Sequence, residues 1–132
     1  YMTDLLEPEY IGKKGIVATP HLGASTAEAE ENCAIMATDQ LMDYLENGNI
    51  VNSVNFPRVT LEKAADERHC FLVKAEKSGD EIKEKLKEFY GDKLAGIAGA
   101  KNRANDFGYF IVDVPAGTEP FSCDCVIRTR VL

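Results

Sequence analysis

A proline closes a short apolar run at the point that most restricts how this chain can fold: Ile16-Val17-Ala18-Thr19-Pro20-His21. Pro20 has no N–H to give a sheet ladder, so the strand predicted over Ile16 to Ala18 ends there. Gly23 permits a tight turn, and Ser25-Thr26-Ala27-Glu28 has the form of a capping box that opens a helix. The order is strand, turn, helix, with one of only two histidines at the strand exit. Open α/β sheets bind ligands at such exits. His21 is therefore the leading candidate for chemistry, against the plainer alternative of a loop histidine that packs or hydrogen-bonds.

The helix that follows is predicted over about Thr26 to Asn47. Ala29, Cys33, Met36, Ala37, Leu41, Tyr44 and Leu45 recur at three- and four-residue intervals, while Ile35 and Met42 widen the stripe. Such a surface wants partners on more than one side. Asn47-Gly48 is a stop signal, and Ile50 to Phe56 alternates in the manner of an extended segment that Pro57 ends. The charged stretch 58–68 reads as a linker between a first region, 1–57, and a second, 69–132.

In the second region, Cys70 to Ala75 reads as a strand and Ser78-Gly79-Asp80-Glu81 as another capping box. Ile82, Leu86, Phe89 and Tyr90 mark an amphipathic helix that Gly91 can end. Leu94 to Ala100 is a weaker strand diluted by two glycines, Asn105 to Gly108 is turn-like, and Tyr109 to Val114 is the strongest strand. Val126 to Val131 is the last, with Ile127 and Val131 facing one way and Arg128 and Arg130 the other. The fold class is α+β. His69 has no evident carboxylate partner and reads as structural.

Composition removes several classes. A formal charge of -7 opposes nucleic acid and anionic membranes as partners. No run approaches the ~20 apolar residues of a membrane-spanning helix. Cys33, Cys70, Cys123 and Cys125 lack zinc-site spacing, so no metal is expected and reduced thiols in a cytoplasmic setting are favoured. No Gly-x-Gly-x-x-Gly occurs, so the phosphate-cradling turn of a dinucleotide fold is missing.

Thr19-Pro20-His21-Leu22-Gly23-Ala24-Ser25-Thr26 resembles the histidine signature of the D-2-hydroxyacid dehydrogenases, nearest to the branch that acts on 3-phosphoglycerate. The likeness continues through Glu28 to Cys33 and Tyr44 to Ile50, and closes with Asn52-Ser53-Val54-Asn55-Phe56-Pro57. It implies that the first region is the end of a nucleotide-binding α/β domain with a long connector helix. It further implies His21 as the acid/base for hydride transfer to NAD, a carboxylate paired with it, and Asp4 and Gly23 beside the cofactor. Glu7 is the carry-over for the pairing carboxylate, with Glu9 the alternative because the interval from Asp4 is shorter than the family pattern. A clamping arginine has no candidate in the matched stretch; Arg58 is the first arginine and falls outside it. With the glycine-rich turn also missing, the expectation is a C-terminal piece of a longer oxidoreductase, inactive alone.

The second region resembles the ferredoxin-like ACT domain that many members of that branch carry, as βαββ(α)β with a truncated second helix. Only ten residues separate Pro115 from Val126, room for a turn or a helical stub. The resemblance implies a regulatory or homo-oligomerising module, the alternative function for the chain. A serine effector could meet Lys77-Ser78-Gly79-Asp80 at a helix N-terminus, but capping alone accounts for Ser78 and Glu81, and the loop lacks the usual Asn-x-Pro-Gly character.

Overall fold

Thr26 sets the start of the longest element. Its Oγ1 accepts the Ala29 N–H at 3.1 Å and its carbonyl accepts the Glu30 N–H at 2.9 Å, so Thr26, and not Ser25, is the N-cap. In this computed structural model, which describes residues 1–74, 79–102 and 106–132, helix α1 then runs Ala27–Asn47. Gly48 stops it in the left-handed region, φ 71°, with its N–H on the Tyr44 carbonyl at 3.0 Å. No residue of α1 is buried, so its apolar stripe lies open.

The chain divides into two compact units, 1–38 and 39–132. This division falls inside α1. The charged stretch 58–68 is built into the second unit instead, because Val59 and Arg68 are buried there.

The first unit holds a two-residue parallel pair, β1 (Met2–Thr3) with β2 (Val17–Ala18), and a 3-10 turn over Pro8–Tyr10. None of its residues is buried.

The second unit is built on β3 (Glu67–Lys74), α2 (Gly79–Tyr90), β4 (Gly96–Lys101), β5 (Phe107–Val114) and β6 (Val126–Val131). The strands form one antiparallel sheet in the order β4-β5-β3-β6. One face packs Phe71, Val73, Phe110 and Val112 against Ile82, Leu86 and Tyr90 of α2. Phe89, expected on that stripe, is half exposed at 49%. The other face carries Cys70, Tyr109 and Ile111 under Ile50 and Val59. The capping box at Ser78 and most of the loop that follows β3 lie outside the described residues, as does Asn105.

Two expectations need correction. The segment 50–56 is not an extended strand: only Ile50 pairs, with Val59, at 2.8 and 3.0 Å. Asn52 takes φ 55° and Ser53 Oγ accepts the Phe56 N–H at 3.2 Å, local bonds that compete with a ladder. The thiols of Cys123 and Cys125 are not reduced but joined, because a turn between them brings their Cα atoms to 5.2 Å, within bridging range. Cys33 and Cys70 are free.

Where the second helix was expected to be truncated, the chain makes a turn, with the Thr118 N–H on the Pro115 carbonyl at 3.3 Å. Buried Phe121 then covers the α2-side core in its place.

Candidate functional site

Parallel pairing brings the exits of β1 and β2 side by side. Met2 pairs with Val17 and Thr3 with Ala18, and the Thr19 N–H reaches the Thr3 carbonyl at 3.0 Å. Asp4 follows β1 directly, and His21 follows β2 after Pro20 ends it. The result is an ion-pair contact, His21 Nδ1 to Asp4 Oδ2 at 3.2 Å, with both side chains more than half exposed.

The contact sets a carboxylate beside one ring nitrogen of an exposed imidazole, an arrangement that can serve proton transfer.

The carboxylate expected in that role was Glu7, or Glu9. Neither pairs with His21: Glu9 lies in the Pro8–Tyr10 turn, and Glu7 lines a separate hollow of about 400 Å³ with Tyr1, Thr3, Leu5, Tyr10 and Ile16. Asp4, expected beside the cofactor, is the residue in contact, because it stands immediately after its strand while Glu7 has already been carried off by the loop.

Gly23 sits in open space, and its φ is not positive, so the local backbone does not demand glycine there. The turn is made by the Ser25 N–H on the Leu22 carbonyl at 3.0 Å.

The second histidine does have a carboxylate. His69 is fully buried, with Nε2 2.6 Å from Glu67 Oε1 and Nδ1 2.8 Å from the Tyr90 hydroxyl. The Gly117 N–H donates to Glu67 Oε2 at 3.0 Å, and the Phe121 N–H donates to the Tyr90 oxygen at 2.8 Å. With Nε2–H donating to Glu67 and Nδ1 accepting from Tyr90, every atom of this chain of bonds has a partner. The His69 and Gly117 bonds hold the Glu67 carboxyl below its usual range, and burial pushes the Tyr90 phenol up. These bonds tie the 115–125 segment to the sheet and to α2; their role is structural. Glu67 and His69, two apart on one strand, share a face, a spacing that the sequence displays.

Arg68, on the opposite face, is buried against Asp113, with Nε to Oδ1 at 2.6 Å and an Nη2 bond to Oδ2 at 2.8 Å. Its Nη1 caps the Asn47 carbonyl at 2.7 Å, and Asp113 also accepts the Ala64 N–H at 2.8 Å. The carboxylate raises the guanidinium's already high pKa. This pair anchors the end of α1 and the approach to β3.

Among the described residues no cluster of His, Cys, Asp and Glu could hold a metal, and no helix is long and apolar enough to cross a membrane.

Comparison with known proteins covers up to about nine-tenths of the chain. It is 32% identical over 124 residues to D-3-phosphoglycerate dehydrogenase of Haemophilus influenzae, an alignment covering 89% of this chain and 30% of that protein. A protein named putative D-3-phosphoglycerate dehydrogenase from Schizosaccharomyces pombe is 29% identical over 130 residues, 90% of this chain and 28% of its own. D-3-phosphoglycerate dehydrogenase 2 of Saccharomyces cerevisiae is 43% identical over 54 residues, 41% of this chain and 12% of that one. The chain therefore spans under a third of the length of the curated relatives it matches. No family model matches it.

Proposed function

We propose, from its similarity to D-3-phosphoglycerate dehydrogenases over most of its length, that this chain is a C-terminal portion of an NAD-dependent oxidoreductase acting on a D-2-hydroxyacid, 3-phosphoglycerate first among them. Serine biosynthesis in the cytoplasm is the corresponding setting. The observation that carries the reading is the His21–Asp4 contact at 3.2 Å, formed inside the stretch Thr19 to Thr26.

His21 takes the substrate hydroxyl proton at Nε2 as the alcohol is oxidised and returns it in reduction. Asp4, 3.2 Å from Nδ1, stands beside the ring on the side away from Nε2. NAD, when bound, supplies the hydride acceptor. The chain itself has no Gly-x-Gly-x-x-Gly to cradle a pyrophosphate, so its residues fit only the nicotinamide side of such a site, Asp4 and Gly23 among them.

The sheet unit is the regulatory or homo-oligomerising part of this reading. Its support is the strand order β4-β5-β3-β6, with α2 between the first two strands in sequence, which is the ferredoxin-like order expected of an ACT-like module. No serine response is part of the proposal.

The test is His21→Ala in the complete enzyme that carries this sequence. Turnover falls by about 10²–10⁴-fold, while NAD affinity, measured by calorimetry, is retained. A rate within about tenfold of the parent's overturns the assignment of His21.

A further inference from the structure

A cavity of about 460 Å³ opens on the face of the sheet opposite α2, wholly within residues 39–132. Leu41 and Tyr44 of α1 form one wall, Phe56 of the bent segment 50–56 another, and Leu72 and Tyr109 the floor. It lies where the segment after Gly48 pairs only at Ile50 and comes back onto this face at Phe56, whose ring meets Tyr109 edge-on. Its volume lies within the range of small-molecule sites, and such sites combine apolar walls with a few polar groups.

The charge of the lining is one-sided. Among the described residues that line it, Arg128 and Arg130 are the only charged ones, in a chain with 22 acidic and 15 basic side chains. Arg130 is already committed: it donates to the Tyr44 carbonyl at 3.1 Å and to the Leu45 carbonyl, and its guanidinium lies 5.0 Å from the Tyr44 ring centroid. There it caps the C-terminal end of α1 and complements the helix dipole. Arg128, two residues back on the same face of β6, has no such employment; it is exposed and carries no ion pair among the described residues. Asn49 and Ser53 are taken up by local bonds: Asn49 to Asp43 at 3.0 Å, and Ser53 to Asn55 at 3.1 Å.

We propose that this cavity binds a small carboxylate with an apolar body, its anionic end on the Arg128 guanidinium and its hydrocarbon against Leu41, Phe56, Leu72 and Tyr109. A guanidinium without an ion partner at the mouth of an apolar hollow favours an anion and penalises a cation. The proposal is independent of the dehydrogenase reading, since none of these residues belongs to the unit that carries His21.

Octanoate is the probe, titrated into the 132-residue chain and followed by amide shifts in NMR, with octylamine and 1-octanol alongside. The expected result is saturable shifts at Phe56, Leu72 and Tyr109 with octanoate, weaker ones with 1-octanol and none with octylamine. Arg128→Met, which keeps the aliphatic stem, weakens octanoate about tenfold or more and leaves 1-octanol unchanged. Should that variant not fold, the octanoate-against-octylamine contrast on the parent chain decides alone. Equal binding of octylamine, shifts elsewhere, no saturation, or an unchanged Arg128→Met affinity overturns the proposal. So does a dimer in light scattering that seats a second copy on this face and that octanoate does not dissociate.

Discussion

Two charge pairs of similar chemistry stand in opposite surroundings. His21–Asp4 sits at the exits of two short parallel strands, with side chains 66% and 54% exposed, in a unit without a buried residue. Arg68–Asp113 bridges neighbouring strands of the four-stranded sheet at 1% and 0% exposure. In the first, water screens the attraction, and the contact adds little beyond bringing the two groups side by side. In the second, both charges have left water, so each depends on the other and on the backbone groups of Asn47 and Ala64. An exposed pair is available for chemistry and adds little stability; a buried pair adds structural definition and is unavailable for chemistry.

The contrast breaks most visibly at Asp113. Asp113→Ala strands a buried guanidinium and an amide, and chemical denaturation should register a loss of about 3–5 kcal/mol. If the loss is under about 1 kcal/mol, as for an exposed pair, the distinction fails.

Next in size is Gly48→Ala. The left-handed backbone at φ 71° resists a side chain, and a methyl there would overlap Cys70 Sγ. The backbone cost alone is about 1–3 kcal/mol, read as a lower unfolding midpoint. The same substitution at Gly23, in open space without positive φ, should leave the midpoint unchanged.

Glu67 sharpens the comparison through pH. Its folded carboxyl lies below the ordinary 4.5 because His69 and Gly117 bond the charged form. That contribution is fully present above 4.5 and is lost as pH falls through the lower folded value. The melting-temperature gap between the parent and Glu67→Gln should be constant above 4.5 and close progressively below it. A gap that widens on acidification contradicts the sign.

The smallest effect belongs to Asp4→Ala, expected to move stability by less than about 0.5 kcal/mol, because the pair is solvated. Its consequence should appear instead as a lower kcat of the complete enzyme, the reverse of the Asp113 result.

Much of this was legible in the chain. Pro20, Gly48 and the apolar intervals of the long helix act locally, through a missing N–H, a left-handed stop and a 3.6-residue period. Each led to an element close to its expected bounds. Local signals faltered where bonds between distant residues decide, as for the partner of His21 and the burial of Arg68; at 50–56 the local bonds of Ser53 prevailed over the alternating pattern.

The carboxylate beside His21 shows the boundary well. A sequence displays three acids after the first strand, Asp4, Glu7 and Glu9, and spacing alone cannot rank them. Parallel pairing of Met2 with Val17 ranks them, because it aligns strand exits and so brings forward the residue nearest its strand.

By itself, the sequence determined the order of the strands and helices from Val17 onward, the position of His21 after a strand that Pro20 must end, and the likeness to a dehydrogenase family. Those properties depend on neighbours along the chain. The tertiary structure decided that Asp4 faces His21, that Arg68 and Asp113 share a buried site, that Cys123 and Cys125 are joined, and that Arg128 borders an apolar cavity. Strand pairing, which joins residues far apart in sequence, settles the first two and brings Arg128 beside the cavity floor, while a turn at Asp124 brings the cysteines together.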